Sequence, residues 1–366
     1  AICLLDRNGL RPARYQIDNE GYVTIASEIG VFPQDESNFI TKGRIGAGGI
    51  FAIDTETGEL IDQSIIDSKL KEGKPYRAWL RSKAKYLESS LYNYAGGGIK
   101  LISSVDLNKA SKYFMLYTEE RQSVIKPLAM DSSEGTGSMG DDTALAVVSS
   151  MPRQIYDFFR QQFAQVTNPP IDSLRESAVM SLETCFGPEL NIFEETPEHA
   201  NRIVTSSPVL SHKKLNTLLK SKRFKSQEFK LVFSKSEALE GALIKLGDKV
   251  KSAVKKGNVL IHLIEEMPGD NMLSINALLA TGYIHQQLIN EGLRTDANII
   301  VSTASARDTH SIACLISYGA TAVYPWLAFQ SILDLTNKGE LKGSPTENCA
   351  KYRKGINKGL LKIISK

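Results

Sequence analysis

The fold is decided by residues 258–305, which have the sequence NVLIHLIEEMPGDNMLSINALLATGYIHQQLINEGLRTDANIIVSTAS. Two apolar runs, NVLIHLIEE and ANIIVSTAS, enclose a segment in which apolar residues recur at helical spacing. Continuous apolar runs are typical of strands that helices cover on both faces. A strand–helix–strand order makes the two strands parallel and their crossover right-handed. The stretch therefore predicts one β-α-β unit.

The same alternation continues on both sides of this unit. Upstream, FKLVFS (229–234) precedes a helix predicted over residues 236–255. Downstream, a helix is predicted at 307–319, a strand at 321–326 and a last helix at 327–339. Four strand-then-helix units in series predict an α/β domain. Its sheet is either an incomplete TIM-like (β/α) barrel or an open, wound parallel sheet.

The first sixty residues indicate a separate, β-rich part of the chain. Asn8-Gly9 favours a tight hairpin between the first two strands, because both residues tolerate positive φ. A small ribbon of strands is rarely stable alone, so we expect this part to belong to a larger sheet. Four strand patterns alternate with turn signals here: ICLLD (2–6), RYQID (14–18), YVTIASE (22–28) and GRIGAGGIFAID (43–54).

Composition argues against several classes of function. The chain has 366 residues, a net charge of +3 and no apolar run long enough to cross a membrane, so neither a nucleic-acid nor a membrane partner is predicted. The lysine-rich stretch 211–230 is interpreted as a solvated helix face, because its leucines keep helical spacing. The cysteines and histidines lie far apart and lack the spacing of metal ligands, so no metal site is predicted.

One glycine motif imitates a dinucleotide site. GTGSMG (135–140) fits G-x-G-x-x-G, but a polar stretch precedes it and a predicted strand follows it. Phosphate binding by this motif needs a strand before it and a helix N-terminus after it. A loop is therefore favoured. Asp141 and Asp142 are interpreted as turn or capping residues ahead of LAVVSS (145–150), a candidate for a further strand of the same sheet.

A stiff corner is predicted within residues 161–184, between two helices. The first helix should end before Asn168, because a residue ahead of a proline disfavours helical backbone. Asp172 is placed as the cap of the second helix, whose inner side is expected to carry Leu174, Ala178, Leu182 and Cys185.

Three residues mark one edge of the predicted sheet. Glu265, Arg307 and Tyr324 stand at or just after the carboxyl ends of successive parallel strands. Sites collect at that edge both in barrels and in wound sheets. These residues are candidates for a surface where a neighbouring domain docks. In the alternative hypothesis they belong to the ligand site of an independent (β/α) enzyme.

Several long strings resemble the large (alpha) subunit of glutamate synthases. LLDRNGLRPARY (4–15) is similar to the end of its glutamine amidotransferase domain, and GSMGDDTALAVVS (137–149) to the start of its central domain. DFFRQQFAQVTNPPIDSLRESAVMSLET (157–184) and ALLATGYIHQQLINEGLRTDANIIV (277–301) resemble later parts of that central domain. YRKGINKGLLKIISK (352–366) resembles the opening of the FMN-binding synthase domain.

The resemblance implies four segments and a fragment without its own catalytic centre. Its nucleophilic cysteine would lie upstream, so Cys3 is not the nucleophile, and FMN and the iron–sulfur cluster would be bound downstream. No catalytic, cofactor or metal residue is therefore predicted in this chain, and the fragment itself is expected to be inactive. The implied segments are an amidotransferase remnant with an N-terminal-nucleophile fold (1–62), a connecting region (63–130), the central domain (131–345) and the start of the synthase domain (346–366).

The resemblance also implies a role for the corner. The parent enzyme would be a cytoplasmic oxidoreductase that makes L-glutamate from L-glutamine and 2-oxoglutarate, with ammonia passing inside the protein. Thr167, Asn168 and Pro169 are candidates for lining that passage, since they offer neutral hydrogen-bonding groups on a stiff backbone. The implied partners are the other domains of the same protein and a reductase small subunit.

Overall fold

The computed structural model describes residues 1–7, 9–33, 35–87, 99–135, 146–160, 171–172 and 174–365. The described residues form two compact units, of which the first contains residues 1–78 and the second begins at Trp79. Within the described residues, no helix is both long and apolar enough to span a bilayer.

The first unit consists of two three-stranded antiparallel sheets and one helix. One sheet has the order β1-β5-β6 and the other the order β3-β2-β4. A small core of Ala13, Ile45 and Phe51 is buried within this unit. Its elements are β1 Ile2–Leu4, β2 Ala13–Asp18, β3 Val23–Ala26, β4 Phe39–Ile45, β5 Ile50–Ile53, β6 Leu60–Ile61 and α1 Gln63–Gly73.

The hairpin predicted at Asn8-Gly9 is wrong. β1 pairs with β5 and not with β2, and Asn8 lies outside the described residues. Backbone hydrogen bonds from Leu5 N to Gly49 O and from Gly48 N to Asp6 O, at 3.1 and 2.9 Å, hold the chain beside the turn before β5. The hairpin between β2 and β3 is confirmed, with Gly21 at φ +86° in its turn.

The helix Tyr76–Lys83 spans the boundary between the two units, and the second unit contains the elements that follow it. The helix Ser104–Tyr113 is capped by Ser103, and a π-helical turn at Arg121–Ile125 joins two short helices. The elements after α1 are α2 Tyr76–Lys83, β7 Lys85–Leu87, α3 Ser104–Tyr113, α4 Thr118–Glu120, α5 Lys126–Asp131, α6 Glu176–Val179, β8 Thr184–Phe186, β9 Ile203–Thr205, α7 His212–Leu219, β10 Lys225–Lys230, β11 Val232–Ser234, α8 Leu239–Lys255, β12 Asn258–Ile264, β13 Met272–Ser274, α9 Ala277–Asn290, β14 Asn298–Thr303, α10 Thr309–Ser317, β15 Ala322–Pro325, α11 Trp326–Asn337 and α12 Pro345–Ile364.

A parallel sheet with the order β10-β12-β14-β15 forms the centre of the second unit. The mixed α/β class and the last three predicted strand-then-helix units are confirmed. The first strand was predicted at 229–234, but the sheet strand is β10, and β11 pairs antiparallel with β13 instead. All six residues of β14 are buried, which explains the apolar run Ile299–Val301 at its centre and the absence of charged residues from the strand. A TIM-like barrel is not confirmed, because the outer strands β10 and β15 do not pair with each other within the described residues.

Two other predictions about this unit are corrected. Residues 146–150 form a turn and not a strand, and the side chains of Val147 and Val148 are 94% and 96% exposed. α6 is much shorter than the predicted second helix of the corner, since Leu174 is 89% exposed and Cys185 lies in β8. No apolar partner in the described residues covers these side chains, so their hydrophobicity alone does not fix a strand or a longer helix.

The last helix, α12, packs deeply into the second unit. Two of its glycines allow this close approach. A Cβ at Gly359 would come within 2.4 Å of the Thr309 side chain, and one at Gly355 within 2.6 Å of Leu128. Thr309 and Leu128 are both fully buried. α12 therefore contacts α10 and α5 at distances that only glycine permits.

We expect Gly359→Ala to lower the free energy of unfolding by about 1–3 kcal/mol, because the added methyl group overpacks a buried contact. Gly241→Ala in α8 is the matched control. The nearest atom to its Cβ is 3.8 Å away, so alanine should stabilise this helix by about 0.5–1 kcal/mol. Urea denaturation of both variants measures the difference, and equal effects would contradict the packing argument.

Candidate functional site at the carboxyl edge of the parallel sheet

The three residues predicted at the strand edge all lie there, but they are buried. Glu265 follows β12 directly, Arg307 lies four residues after β14, and Tyr324 is within β15. Their exposed fractions are 1%, 3% and 7%. Ala304 links the first two, because its N–H donates to the Glu265 carboxylate at 2.9 Å and its carbonyl accepts from Arg307 at 2.8 Å.

The carboxylate of Glu265 is surrounded by hydrogen-bond donors. The backbone N–H groups of Ala277, Ala304 and Ser305 donate to it at 2.9–3.0 Å. The hydroxyl groups of Thr303 and Ser305 add bonds of 2.8 Å to Oε2. A buried carboxylate is stable only when such donors replace water. Both oxygen atoms are therefore used to join the start of α9 and the turn after β14 to the end of β12.

Two aromatic side chains form hydrogen bonds with Glu265 and Ser305 next to this carboxylate. The indole N–H of Trp326 donates to the Glu265 carbonyl at 2.8 Å. The hydroxyl of Tyr156 lies 3.2 Å from the Ser305 hydroxyl, and its ring is buried. Burial raises the pKa of Tyr156 well above its ordinary value, and the charge of Glu265 raises it further. The phenol therefore remains protonated at neutral pH.

Arg307 forms a two-point ion pair with Glu120. Its Nε and Nη2 atoms donate to the two carboxylate oxygens at 2.6 and 2.8 Å, and Nη1 donates to the carbonyls of Ala304 and Phe114. Burial alone lowers the pKa of Arg307, but the hydrogen bonds and charge of Glu120 outweigh it and the net shift is upward. The Tyr352 hydroxyl of α12 donates to the Arg307 carbonyl at 2.6 Å.

Tyr324 belongs to a different group of side chains. Its hydroxyl lies 3.2 Å from Nδ1 of His212, and its ring centroid is 5.6 Å from that of Phe329. Burial raises the pKa of the Tyr324 phenol, and the nearby Cys349 raises it further. Burial also lowers the pKa of His212, followed by the charge of Lys220. Both groups are therefore neutral at neutral pH.

These contacts define what the edge can do chemically. Its two charged groups are buried and engaged by partners within the same unit, and the neutral groups hold their protons. Among the described residues, no cluster of three or more His, Cys, Asp or Glu side chains is arranged to hold a metal ion. The arrangement fixes loops and helix ends in place and keeps the Glu265 carboxylate and the Arg307 guanidinium away from a bound molecule.

Other predicted residues lie outside the described part of the chain. Thr167, Asn168 and Pro169 are among them, as are Asp141 and Asp142. Asp172 is described, and its carboxylate accepts from the backbone N–H groups of Leu174 and Arg175 at 2.9 and 3.0 Å. These bonds hold a turn ahead of α6, whose N-cap is Arg175 and has no side-chain cap, so the prediction that Asp172 caps this helix is wrong.

Sequence reasoning missed the partners that complete the edge. Glu120 stands 187 residues before Arg307 in a charged stretch with no motif, so only the folded chain pairs them. Tyr156 and Tyr352 likewise come from distant segments. Of these partners, Ser305 is the one that the sequence could have indicated, because it stands in the run STAS (302–305) of small and hydroxyl residues that follows the apolar run.

The fold and the edge define an α/β domain whose usual site position is filled by its own side chains. The family model of the glutamate synthase central domain matches residues 109–366, which is more than half of the chain. The chain therefore belongs to the glutamate synthase central domain family. A second family model, class-II glutamine amidotransferases, matches residues 1–79.

The chain is also similar to longer proteins that are glutamate synthases. It is 39% identical to ferredoxin-dependent glutamate synthase 2, chloroplastic, of Arabidopsis thaliana, covering 99% of this chain and 23% of that protein. It is 37% identical to the glutamate synthase [NADPH] large chain of Azospirillum brasilense, covering 99% of this chain and 24% of that protein. The chain thus spans about a quarter of the length of these relatives.

Solved structures give a weaker similarity. A mutant flavocytochrome b2 with bound pyruvate matches at 15% identity over 43% of this chain and 34% of that chain. The TM-score is 0.27, which is too low to establish a shared fold.

We expect Glu265→Gln to lower the free energy of unfolding by about 3 kcal/mol or more, because an amide N–H₂ group would face donors that now bind a charged acceptor. Glu266→Gln is the matched control, since this neighbouring acid is 37% exposed and pairs only with Lys230 at 2.7 Å. The control should cost about 1 kcal/mol or less. Chemical denaturation compares the two, and similar losses would refute the structural role of the Glu265 carboxylate.

Proposed function

We propose that the chain is a non-catalytic scaffold between the glutaminase and synthase sites of a glutamate synthase, and that it forms part of the wall of an ammonia passage. The whole enzyme would make L-glutamate from L-glutamine and 2-oxoglutarate, as the names of the relatives suggest. FMN and an iron–sulfur cluster would be bound by other domains of the same protein.

The scaffold role is supported by one observation: the charged side chains of Glu265 and Arg307 at the carboxyl edge of the sheet are engaged in internal hydrogen bonds. An enzyme of the (β/α) type would present reactive groups there. In this chain the Glu265 carboxylate accepts hydrogen bonds from backbone and hydroxyl donors, and Arg307 forms an ion pair with Glu120. The edge therefore favours a supporting domain over the alternative of an independent enzyme with its site at Glu265, Arg307 and Tyr324. We propose that the rigid edge supports the contacts with neighbouring domains.

The passage is proposed at Thr167, Asn168 and Pro169 on the strength of the family resemblance. Ammonia moves as a neutral molecule, and a carboxylate on its route would retain it as ammonium. Thr167 and Asn168 offer hydrogen bonds without charge. The next acid in the sequence, Asp172, is engaged by the backbone of its own turn, which keeps its carboxylate occupied.

Several finer assignments are part of the same proposal. The boundaries 1–62, 63–130, 131–345 and 346–366 belong to it, and the family matches over 1–79 and 109–366 support the order of an amidotransferase part followed by a central domain. We also propose that β10 to β15 are part of an incomplete barrel, which is supported by the bridge between Val209 and Val323 at one side of the sheet. A reductase small subunit and a cytoplasmic location are proposed for the parent enzyme.

We expect Asn168→Asp in the full-length enzyme to leave glutamine hydrolysis intact but to lower glutamine-dependent glutamate formation about tenfold or more. The introduced carboxylate would attract ammonium by more than about 1.4 kcal/mol, which is a factor of about ten in the equilibrium constant. Parallel assays of glutamate and of ammonia released to solution measure the coupling of the two half-reactions.

Asn168→Ser is the matched neutral variant and should stay coupled. If Asn168→Asp forms glutamate from glutamine as well as the unaltered enzyme does, the passage does not run along this segment. If both variants lose glutamine hydrolysis as well, the segment supports the glutaminase site and not the passage.

A further inference from the structure

The lysine-rich stretch 211–230 is not only a solvated helix face. Lys214 is 2% exposed, and burial, followed by the charge of Arg353, lowers its pKa to about 8. On another side of α7 the structure contains a cavity of about 590 Å³. Its lining includes four lysines, Lys85, Lys213, Lys220 and Lys222, together with His212 and Asn216.

Lysines outnumber acids in the described lining of this cavity. Among the residues that the structure describes, no aspartate or glutamate lines it. Lys85, Lys220 and Lys222 form no ion pair with any acid in the described residues, whereas lysines elsewhere in the unit do, such as Lys230 with Glu266 and Lys255 with Glu291. A concave surface with charge of one sign concentrates field lines and attracts counter-ions.

A second cavity provides a contrast on the same unit. It has a volume of about 700 Å³ beside β10 and α8, and its lining mixes Lys249 and Lys256 with Glu228 and Asp248. The positive cavity beside α7 is therefore not a general consequence of the chain's small net charge of +3. It arises because the fold collects lysines from β7, α7 and the turn after α7 at one place.

The neutral groups in the cavity suit an oxyanion. The His212 ring is neutral and is held from two sides, by the Tyr324 hydroxyl at 3.2 Å and by the Asn216 amide at 2.9 Å. Thr217 and Ser221 add hydroxyl groups to the lining. Lysine ammonium groups bind phosphate as point charges, and hydroxyl and amide groups complete the hydrogen bonds to its oxygens.

We propose that this cavity binds a small molecule that carries two or more phosphate charges. Its volume lies within the range of about 300–1,000 Å³ that is usual for small-molecule sites. A nucleic acid is disfavoured because the part of the lining that the structure describes offers no aromatic side chain on which bases could stack. The inference is independent of the proposed scaffold role, since it concerns another surface of the unit.

Equilibrium dialysis of the 366-residue chain against pyrophosphate and ADP at constant ionic strength tests the site. We expect saturable binding of one equivalent and weaker binding of inorganic phosphate. NMR titration of His212, assigned with His212→Gln, should show that its pKa rises when pyrophosphate binds, because the ligand's negative charge counters that of Lys220. An imidazole in a merely solvated face would not respond.

Lys220→Gln combined with Lys222→Gln should weaken pyrophosphate binding about 25-fold, or about fivefold for each charge pair removed. Lys249→Gln combined with Lys256→Gln, in the mixed cavity, is the matched control and should leave affinity unchanged. Absence of saturable binding, equal effects of the two double variants, or tighter binding of a single-stranded oligonucleotide than of pyrophosphate would each overturn the proposal.

Discussion

The second unit depends on the hydrogen bonding of one buried carboxylate, that of Glu265. Its donors come from positions 12 and 38–40 residues further along the chain, at the start of α9 and in the turn after β14. The cost of removing a carboxylate from water is offset only if all of these donors are in place together. The carboxylate therefore fixes two β-α connections relative to β12, and small movements of either connection are energetically unfavourable.

The final helix completes this arrangement from the other side. The Tyr352 hydroxyl bonds to the Arg307 carbonyl, while Gly355 and Gly359 bring α12 close to α5 and α10. Arg307 in turn holds Glu120, so that helices before and after the sheet are tied to the same turn. The result is a strand edge stabilised by side chains from segments far apart in the sequence.

This construction explains how a domain of enzyme-like topology can serve as a support. Glu265 and Arg307, at positions where related architectures place reactive groups, are used here for internal bonds that make the edge rigid. The group at Tyr324 and His212 lies apart from that network and borders the lysine-lined cavity. Support and ligand recognition would thus occupy separate surfaces of one unit.

The sequence by itself determined the order of strands and helices of the parallel sheet from residue 258 to 339, because continuous apolar runs and helical periodicity are local consequences of burial. It did not locate β10, whose sequence KSQEFK is largely polar. It also placed Glu265, Arg307 and Tyr324 at one strand edge. Only the tertiary structure decided that these groups are buried, that Glu120 is the partner of Arg307, and that β1 pairs with β5. Pairing between residues far apart in the sequence depends on the packing of the whole chain. A local pattern of residue types does not specify which distant residue donates a hydrogen bond or which distant strand pairs.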